Sequence, residues 1–531
     1  MHFMPSVSTV SAQDTQIPVG WVKFNAHSHG EFDVYDENGT VVGTIDESTN
    51  SIFGYTGDTP EMIRDKFGGD GVFVHSPHVN NFEPYKEHWA SQMKYENENW
   101  STATNFTLGE EYHLNGRHVG LINITQFMSV GDYTTFEDFR TNVASQGGIM
   151  IVNHPSYTWI GNPQIFLQPG YEFDAMEIYN GRVEIVGNPL IVPEQDGRHH
   201  YRNAVTQGRL MAALGGSDAH NTDSGWQVYT VAEDPQGDKN LDAVVKAIKN
   251  RKTYATAYDM STYDRSYFVE CDLMGQVTTE RDLVINITPP SGNMYTVDLW
   301  KNNDTAPVQT WTPTGGTSIT YTIPSADSLT NAAYTFEIYE GSDPPSSDAL
   351  AYTTAIWYQP VVTYNISLSK GWNQISIPLI QEDTSAAIVL SNIAGQYDLV
   401  QWFDSENNSW LVYPGDILDI DHKKAFWLHM ETDSILRITG RFPFFTTIAL
   451  HSSGDGWNLV GFPAYNPISV NDTLHYLVDK YRAIQHYNAS DYNDHWKHFS
   501  ADKSENDLRN FFTGKGYWIR VVEDCEWVVF N

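Results

Sequence analysis

Leu210-Met211-Ala212-Ala213-Leu214-Gly215-Gly216-Ser217-Asp218-Ala219-His220 is the stretch on which the reading of the fold turns. Its apolar opening reads as a buried strand, and Gly215-Gly216 lets the backbone turn tightly where that strand ends. Asp218 and His220 stand two residues apart and fall on the same side of the chain. One carboxylate and one imidazole at that spacing make half of a transition-metal site. A lone Asp-x-His is more often a polar loop. Here the upstream chain supplies matching halves after other apolar runs.

Trp21-Val22-Lys23-Phe24-Asn25 reads as a strand running into Ala26-His27-Ser28-His29, and Gly71-Val72-Phe73-Val74 as another, ending in His75-Ser76-Pro77-His78. A strand near 106–108 leads into Gly109-Glu110-Glu111, and 118–122 forms the next. Ile149-Met150-Ile151-Val152 is closed by His154-Pro155, and residues 173–179 form a strand carrying Glu177, with Asn180 just past its end. Between these lie helical patterns at 59–67, 82–100, 134–146, 199–207 and 241–250, several opened by Thr or Pro at the N-terminal turn. Short strands alternating with helices predict a parallel sheet, and this many units predict a closed (β/α) barrel. The ligand-type residues then sit at the C-terminal strand ends, where such barrels carry their chemistry.

At 531 residues the chain exceeds what one core organises, so several domains are expected. The divisions predicted are a linker at 1–19, the α/β region at 20–262, a β-sandwich at 263–359, and two β-rich units at 360–445 and 446–531. The sandwich rests on β-rich segments between Gly, Pro, Asn and Asp turns. The last two rest on a repeat. Gly371-Trp372-Asn373-Gln374 returns as Gly456-Trp457-Asn458-Leu459, and Lys424-Ala425-Phe426-Trp427 as Lys515-Gly516-Tyr517-Trp518. Regularly spaced tryptophans of this kind more often pack a core; the other reading is a platform for glycan or cell-surface docking.

The formal charge of −35 and the absence of a Lys/Arg tract exclude nucleic-acid binding through basic patches. No run of about 20 apolar residues exists to span a membrane. The two cysteines, Cys271 and Cys525, form no disulfide framework and belong to no metal motif. Recurring Asn-x-Ser/Thr sites, Asn105, Asn286 and Asn488 among them, and the acidic surface lead to an extracellular or cell-surface expectation, with no signal peptide visible.

His27, His29, His78, Glu111, His118, His154, Asp218 and His220 together exceed one tetrahedral site. Imidazoles and carboxylates without thiolates suit two or three divalent ions of zinc, manganese or iron. Carboxylates such as Glu111 and Asp218 can bridge neighbouring ions. Paired ions acidify a water and neutralise charge building on a phosphoryl or carbonyl oxygen. No Gly-x-Ser-x-Gly nucleophile elbow is present. Arg117, Arg182 and Arg202 are the nearby cations able to clamp a phosphate, Arg182 being the best placed.

His27-Ser28-His29, Gly109-Glu110-Glu111 with His118, Asn153-His154-Pro155, Glu177-Ile178-Tyr179-Asn180 and Gly216-Ser217-Asp218-Ala219-His220 resemble, in order, the motifs of the polymerase-and-histidinol-phosphatase (PHP) family. The resemblance covers about residues 20–258 and is nearest the CehA-like subgroup. It implies a distorted (β/α)7 barrel, a two- or three-metal site and hydrolysis of a phosphate mono- or diester. The alternative it carries is hydrolysis of a carboxyl ester, amide or carbamate; a further alternative is a non-catalytic, glycan-binding surface protein. By the resemblance, His27, His29, Glu111 and Asp218 hold one ion, and Glu111, His118 and His154 a second. His78 and His220 hold a third, with Asp33 as a further ligand. Glu111, Asp218 and His154 stand at the reacting centre, and Arg182, Arg117, Glu177 and Asn180 at the substrate. The chain departs from the family where Pro77 replaces the Asp of Thr-Asp-His. Pro77 cannot orient a ligand histidine, so His75 is added as a substitute ligand.

Overall fold

The computed structural model describes residues 19–46, 59–60, 62, 71–100, 104–114, 117–129, 131–133, 135–155, 171–180, 197–218, 226–259, 267–289, 294–341, 349–500 and 506–531. The chain forms two compact units. One comprises residues 1–277, 282–322 and 333–357; the other comprises 278–281, 323–332 and 358–531.

Up to residue 259, the described strands of the first unit are β1 (Trp21–Asn25), β2 (Glu31–Tyr35), β3 (Val41–Asp46), β4 (Gly71–His75), β5 (Thr104–Leu108), β6 (Glu110–Leu114), β7 (Arg117–Ile122), β8 (Ile149–Val152), β9 (Ala175–Asn180), β10 (Ala212–Gly216), β11 (Trp226–Glu233) and β12 (Thr253–Asp259). The longer helices are α1 (Trp89–Asn99), α2 (Phe136–Ser145), α3 (Gly197–Thr206) and α4 (Leu241–Lys249). Thr135 caps α2 by accepting the Asp138 N–H, and Asn240 caps α4 by accepting that of Ala243. The helical pattern at 82–100 divides at Tyr85, where Pro84 opens a 3-10 turn before α1. The pattern at 59–67 lies mostly outside the described residues.

The strands form two principal sheets. One carries the order β12-β11-β1-β4-β5, and the other β10-β9-β8-β7-β6. The pairs β1–β4, β4–β5, β8–β9 and β9–β10 are parallel, as expected of βαβ units. Antiparallel pairs interrupt them. β6 and β7 are joined by two residues, which forces a hairpin. β11 runs against both β1 and β12. The closed parallel barrel expected from the alternation is therefore realised only in part: among the described residues no closed ring of hydrogen-bonded strands is present. The two sheets nevertheless share one apolar core. Val22, Phe24, Val72 and Val74 from one sheet pack with Ile149, Ile151, Ala175, Ala212 and Leu214 from the other and with Val244 and Ile248 of α4. Each large aliphatic or aromatic side chain there contributes about 1.5–3 kcal/mol by leaving water.

β12 also pairs with the strand Ala349–Thr353, so the sheet runs on into the antiparallel strands that follow residue 267. Among these, Asp282–Thr288 alternates strictly between exposed and buried positions. Its Leu283, Ile285 and Ile287 are buried, the signature of a strand with one face on a core.

The second unit contains two four-stranded antiparallel sheets of the same topology. Gly371–Ser376, Ala425–Met430, Tyr397–Asp404 and Ser409–Tyr413 form the first. Trp457–Gly461, Gly516–Val521, Tyr481–Tyr487 and Trp496–Ser500 form the second, in the same order. No helix among the described residues is long and apolar enough to cross a membrane.

Candidate metal centre

The segment after β1 is tied to the segment after β10 by a buried amide. Asn25 Oδ1 accepts the backbone N–H of His27 (3.2 Å) and of Ser217 (3.1 Å), and its Nδ2 donates to Ser217 Oγ (2.8 Å). The Asp218 N–H then donates to the His27 carbonyl at 2.9 Å. Ser28 Oγ donates to the Val74 carbonyl at 2.7 Å and thereby joins the ends of β1 and β4. The Glu111 N–H donates to the Pro77 carbonyl at 3.0 Å, which brings β6 alongside. Polar residues at strand ends thus converge from chain positions nearly 200 apart.

Glu111 is the centre of the convergence. Its Oε1 lies 2.8 Å from His118 Nδ1, 3.1 Å from His154 Nε2 and 3.2 Å from His27 Nε2. Its Oε2 lies 2.9 Å from His78 Nε2 and 3.3 Å from His29 Nε2. Asp218 Oδ1 stands 3.3 Å from His29 Nε2 and 3.6 Å from His27 Nε2. Among the described residues, ligand atoms within 4.8 Å of one another fall into four overlapping groups: His27, His29 and Glu111; His27, His154 and Asp218; Glu111, His118 and His154; and His78, His113 and His118. His27, His29 and Glu111 are buried, while the His78 and His118 side chains are 22% and 17% exposed and form the outer edge.

This donor set fits divalent cations. Glu177 Oε1 accepts from His27 Nδ1 at 3.1 Å, which leaves the His27 Nε2 lone pair facing inward. That nitrogen meets His29 Nε2 at 3.0 Å and the carboxylates of Glu111 and Asp218. Imidazole nitrogens and the carboxylates of Glu111 and Asp218 facing one another in a dry site suit a bound cation. The anionic groups favour positive charge at this place. Burial disfavours charge on His27, yet Glu111, Glu177 and Asp218 overcome it and raise its pKa well above the ordinary imidazole value. Burial likewise opposes charge on Glu111, but His118, His27 and His78 hold its carboxyl well below the usual range. At His118 burial wins over Glu111 and lowers the pKa, which keeps that imidazole neutral and available as a donor.

Two ligand-type residues have left-handed backbones: His154 at φ 26° and Asp218 at φ 46°. Such positions cost about 1–3 kcal/mol in non-glycine residues and collect at functional sites. The His154 conformation is held by its N–H, which donates to Glu177 Oε2 at 2.9 Å. Asn180 Nδ2 donates to the same oxygen at 3.1 Å. Glu177 and Asn180, read from sequence as substrate contacts, are therefore buried beneath the histidines with the Glu177 carboxylate shared among protein donors. Gly216 makes room for this arrangement, since a Cβ there would fall on the Glu177 carboxylate and 3.0 Å from His27 Cβ.

The remaining sequence-derived residues divide. Asp33 lies on β2, within the β2–β3 hairpin rather than a loop, and accepts from Thr44 Oγ1 at 2.6 Å. His75 is buried with its Nδ1 donating to Glu96 Oε1 of α1 at 3.1 Å. Neither belongs to the four groups of converging ligand atoms. His220 and Arg182 lie outside the described residues, as does the Arg117 side chain. Arg202 stacks on Trp300, 4.2 Å from its ring centre, and faces Glu337 at 3.8 Å.

His113 was not anticipated. It stands two residues beyond Glu111 on β6, directly opposite His118 across the hairpin, with the two rings stacked at 4.4 Å. Strand alternation places residues 111 and 113 on one face. That signal is present in Glu111-Tyr112-His113 once 110–114 is recognised as a strand.

Comparison with known protein families finds no model that matches the chain, and comparison with curated proteins finds no match either.

Proposed function

We propose that the protein is a metal-dependent hydrolase whose substrate is a phosphate mono- or diester. The observation that carries this reading is Glu111, one buried carboxylate within 3.3 Å of five imidazole nitrogens. A structural ion pair needs one partner; a carboxylate shared in this way is one that would help hold divalent ions. Divalent ions bound there supply Lewis acidity to a phosphoryl oxygen and lower the pKa of a nearby water.

The chain's own residues do the rest. Glu111 and Asp218 provide the anionic charge, while His27, His29, His118 and His154 provide neutral nitrogen donors. Glu177 fixes the His27 tautomer and holds the His154 backbone, so one carboxylate orients two ligands. The exposed edge at His78 and His118 is the side from which an ester would approach. The ordered motifs from His27-Ser28-His29 to Gly216-Ser217-Asp218 support membership of the PHP family. In that reading the two sheets are the halves of a distorted (β/α)7 barrel.

Hydrolysis of a carboxyl ester, amide or carbamate is the second reading. Arg202, one of the three arginines able to clamp a phosphate, is engaged with Trp300 and Glu337 instead, and a carbonyl substrate needs no such clamp. Parallel assays of nitrophenyl phosphate, bis(nitrophenyl) phosphate and nitrophenyl acetate, before and after chelation and metal return, decide between them. Phosphate-ester turnover that is lost to chelator and restored by zinc or manganese is the expected result. Metal-dependent cleavage of the acetate alone would favour the second reading, and no turnover on any substrate would contradict both.

A further inference from the structure

The second unit contains an aromatic cleft of about 420 Å³ between its two repeats. Trp427 and Trp518 occupy equivalent positions in the repeats and are surrounded equivalently. Trp427 lies 5.1 Å from Tyr487 and 5.9 Å from Trp496, both from the other repeat. Trp518 lies 5.4 Å from Phe403 and 5.8 Å from Trp410, again from the other repeat. Each also meets the tryptophan that opens its own repeat, Trp372 at 5.9 Å and Trp457 at 6.3 Å. Duplication has thus produced a two-fold arrangement of crossed rings.

We propose that this cleft binds a neutral carbohydrate, as a chain end or short oligosaccharide. Three observations point there. First, these rings are not the cores of the repeats, which are built from other residues such as Ile375, Leu428 and Ile438 in one and Phe462, Ile519 and Trp527 in the other. Trp372, Trp410 and Trp496 remain 38%, 45% and 44% exposed. Second, the indole N–H of Trp402 donates to the Leu459 carbonyl and that of Trp527 to the Thr473 carbonyl. Among the described residues, the cleft tryptophans show no such bond to a protein acceptor. A sugar offers hydroxyl groups around an apolar C–H face that packs on such rings. Third, among the described residues no charged side chain lines the cleft, and its non-aromatic member is the amide of Gln401. An anion would find no counter-charge there.

The walls are pre-formed. Gln374 Oε1 accepts the Tyr487 N–H at 2.7 Å, and Ser376 Oγ donates to the Lys515 carbonyl at 2.7 Å, so the two repeats are locked at the cleft floor. Trp372 and Trp427 cross at 86° and Trp410 and Trp518 at 76°. Crossed rings from both repeats form the walls of an open cleft, wide enough for a short oligosaccharide to enter from solvent. This inference stands independently of the hydrolase reading.

The test is titration of the full-length protein with maltoheptaose, cellohexaose, chitohexaose and xylohexaose, read by tryptophan fluorescence and calorimetry. At least one sugar is expected to bind. Trp410→Ala and Trp496→Ala, at half-exposed positions, are each expected to weaken it at least about tenfold with the circular dichroism and melting temperature unchanged. Failure of all four sugars overturns the proposal. So does sugar binding that survives both substitutions, or saturation instead by a proline decapeptide or by tetramethylammonium.

Discussion

Glu177→Gln isolates the device that orients the metal ligands without touching the cluster itself. The wild-type carboxylate accepts from three donors: His27 Nδ1 at 3.1 Å, the His154 N–H at 2.9 Å and Asn180 Nδ2 at 3.1 Å. An amide has one acceptor oxygen. If that oxygen stays with His154 and Asn180, its NH2 group faces His27 Nδ1. The imidazole must then carry its proton on Nε2, which points at Glu111 and His29 and can no longer ligate. If the amide flips, its NH2 group meets two buried donors, at about 1–3 kcal/mol. Either way metal affinity falls, by roughly 10–100-fold, the usual effect of losing a partner that orients a ligand histidine. This corresponds to about 1.4–2.7 kcal/mol. Competition with a chromophoric chelator measures the loss, and the melting temperature of the metal-free variant controls for misfolding. Wild-type affinity in a folded Glu177→Gln protein would refute the reasoning.

Other consequences follow from the same geometry. Gly216→Ala drives a Cβ onto the Glu177 carboxylate and is expected to reproduce the loss of metal affinity, with about 1–3 kcal/mol of overpacking added; denaturant melts and chelator competition read both. His113→Ala is expected to remove the most weakly held metal equivalent, because His113 completes only the outer group with His78 and His118; stoichiometry against free zinc measures it. His486 is buried and its Nδ1 donates to the Gly516 carbonyl, and burial pushes its pKa down to about 4. Being neutral when folded, it contributes full stability above its ordinary pKa of about 6.5, and that stability is lost as pH falls from there toward 4. The loss is on the order of 3 kcal/mol. Urea melts of the second unit at pH 7 and pH 4.5 are expected to differ by that amount, and His486→Gln to remove the difference.

The strands were legible where apolar runs ended in turn residues. Ala212-Ala213-Leu214-Gly215-Gly216 is β10, and Ile149-Met150-Ile151-Val152 is β8. Strand direction was less legible, because composition does not distinguish a strand that runs with its neighbour from one that runs against it. β6 is short and carries Glu110, Glu111 and His113 among its residues, so it lacks the apolar run that marks the other strands. Its hairpin with β7, and with it His113, went unread for that reason. Asp33, read from sequence as a further ligand, lies in a segment that the buried Phe32 and Val34 make a strand. The convergence of His27, Glu111, His154 and Asp218 was legible because each closes or opens a strand next to Gly, Pro or Asn. Which of Glu177's neighbours it serves was not, since a buried carboxylate reads the same in sequence whether it faces a substrate or a histidine.

Elemental analysis of the purified full-length protein, wild type beside Glu111→Gln, tests the metal centre most directly. The wild type is expected to hold about two or three equivalents of zinc, manganese or iron, and Glu111→Gln fewer than about one. Less than one equivalent in the wild type after incubation with zinc or manganese, or equal content in both proteins, would contradict the account.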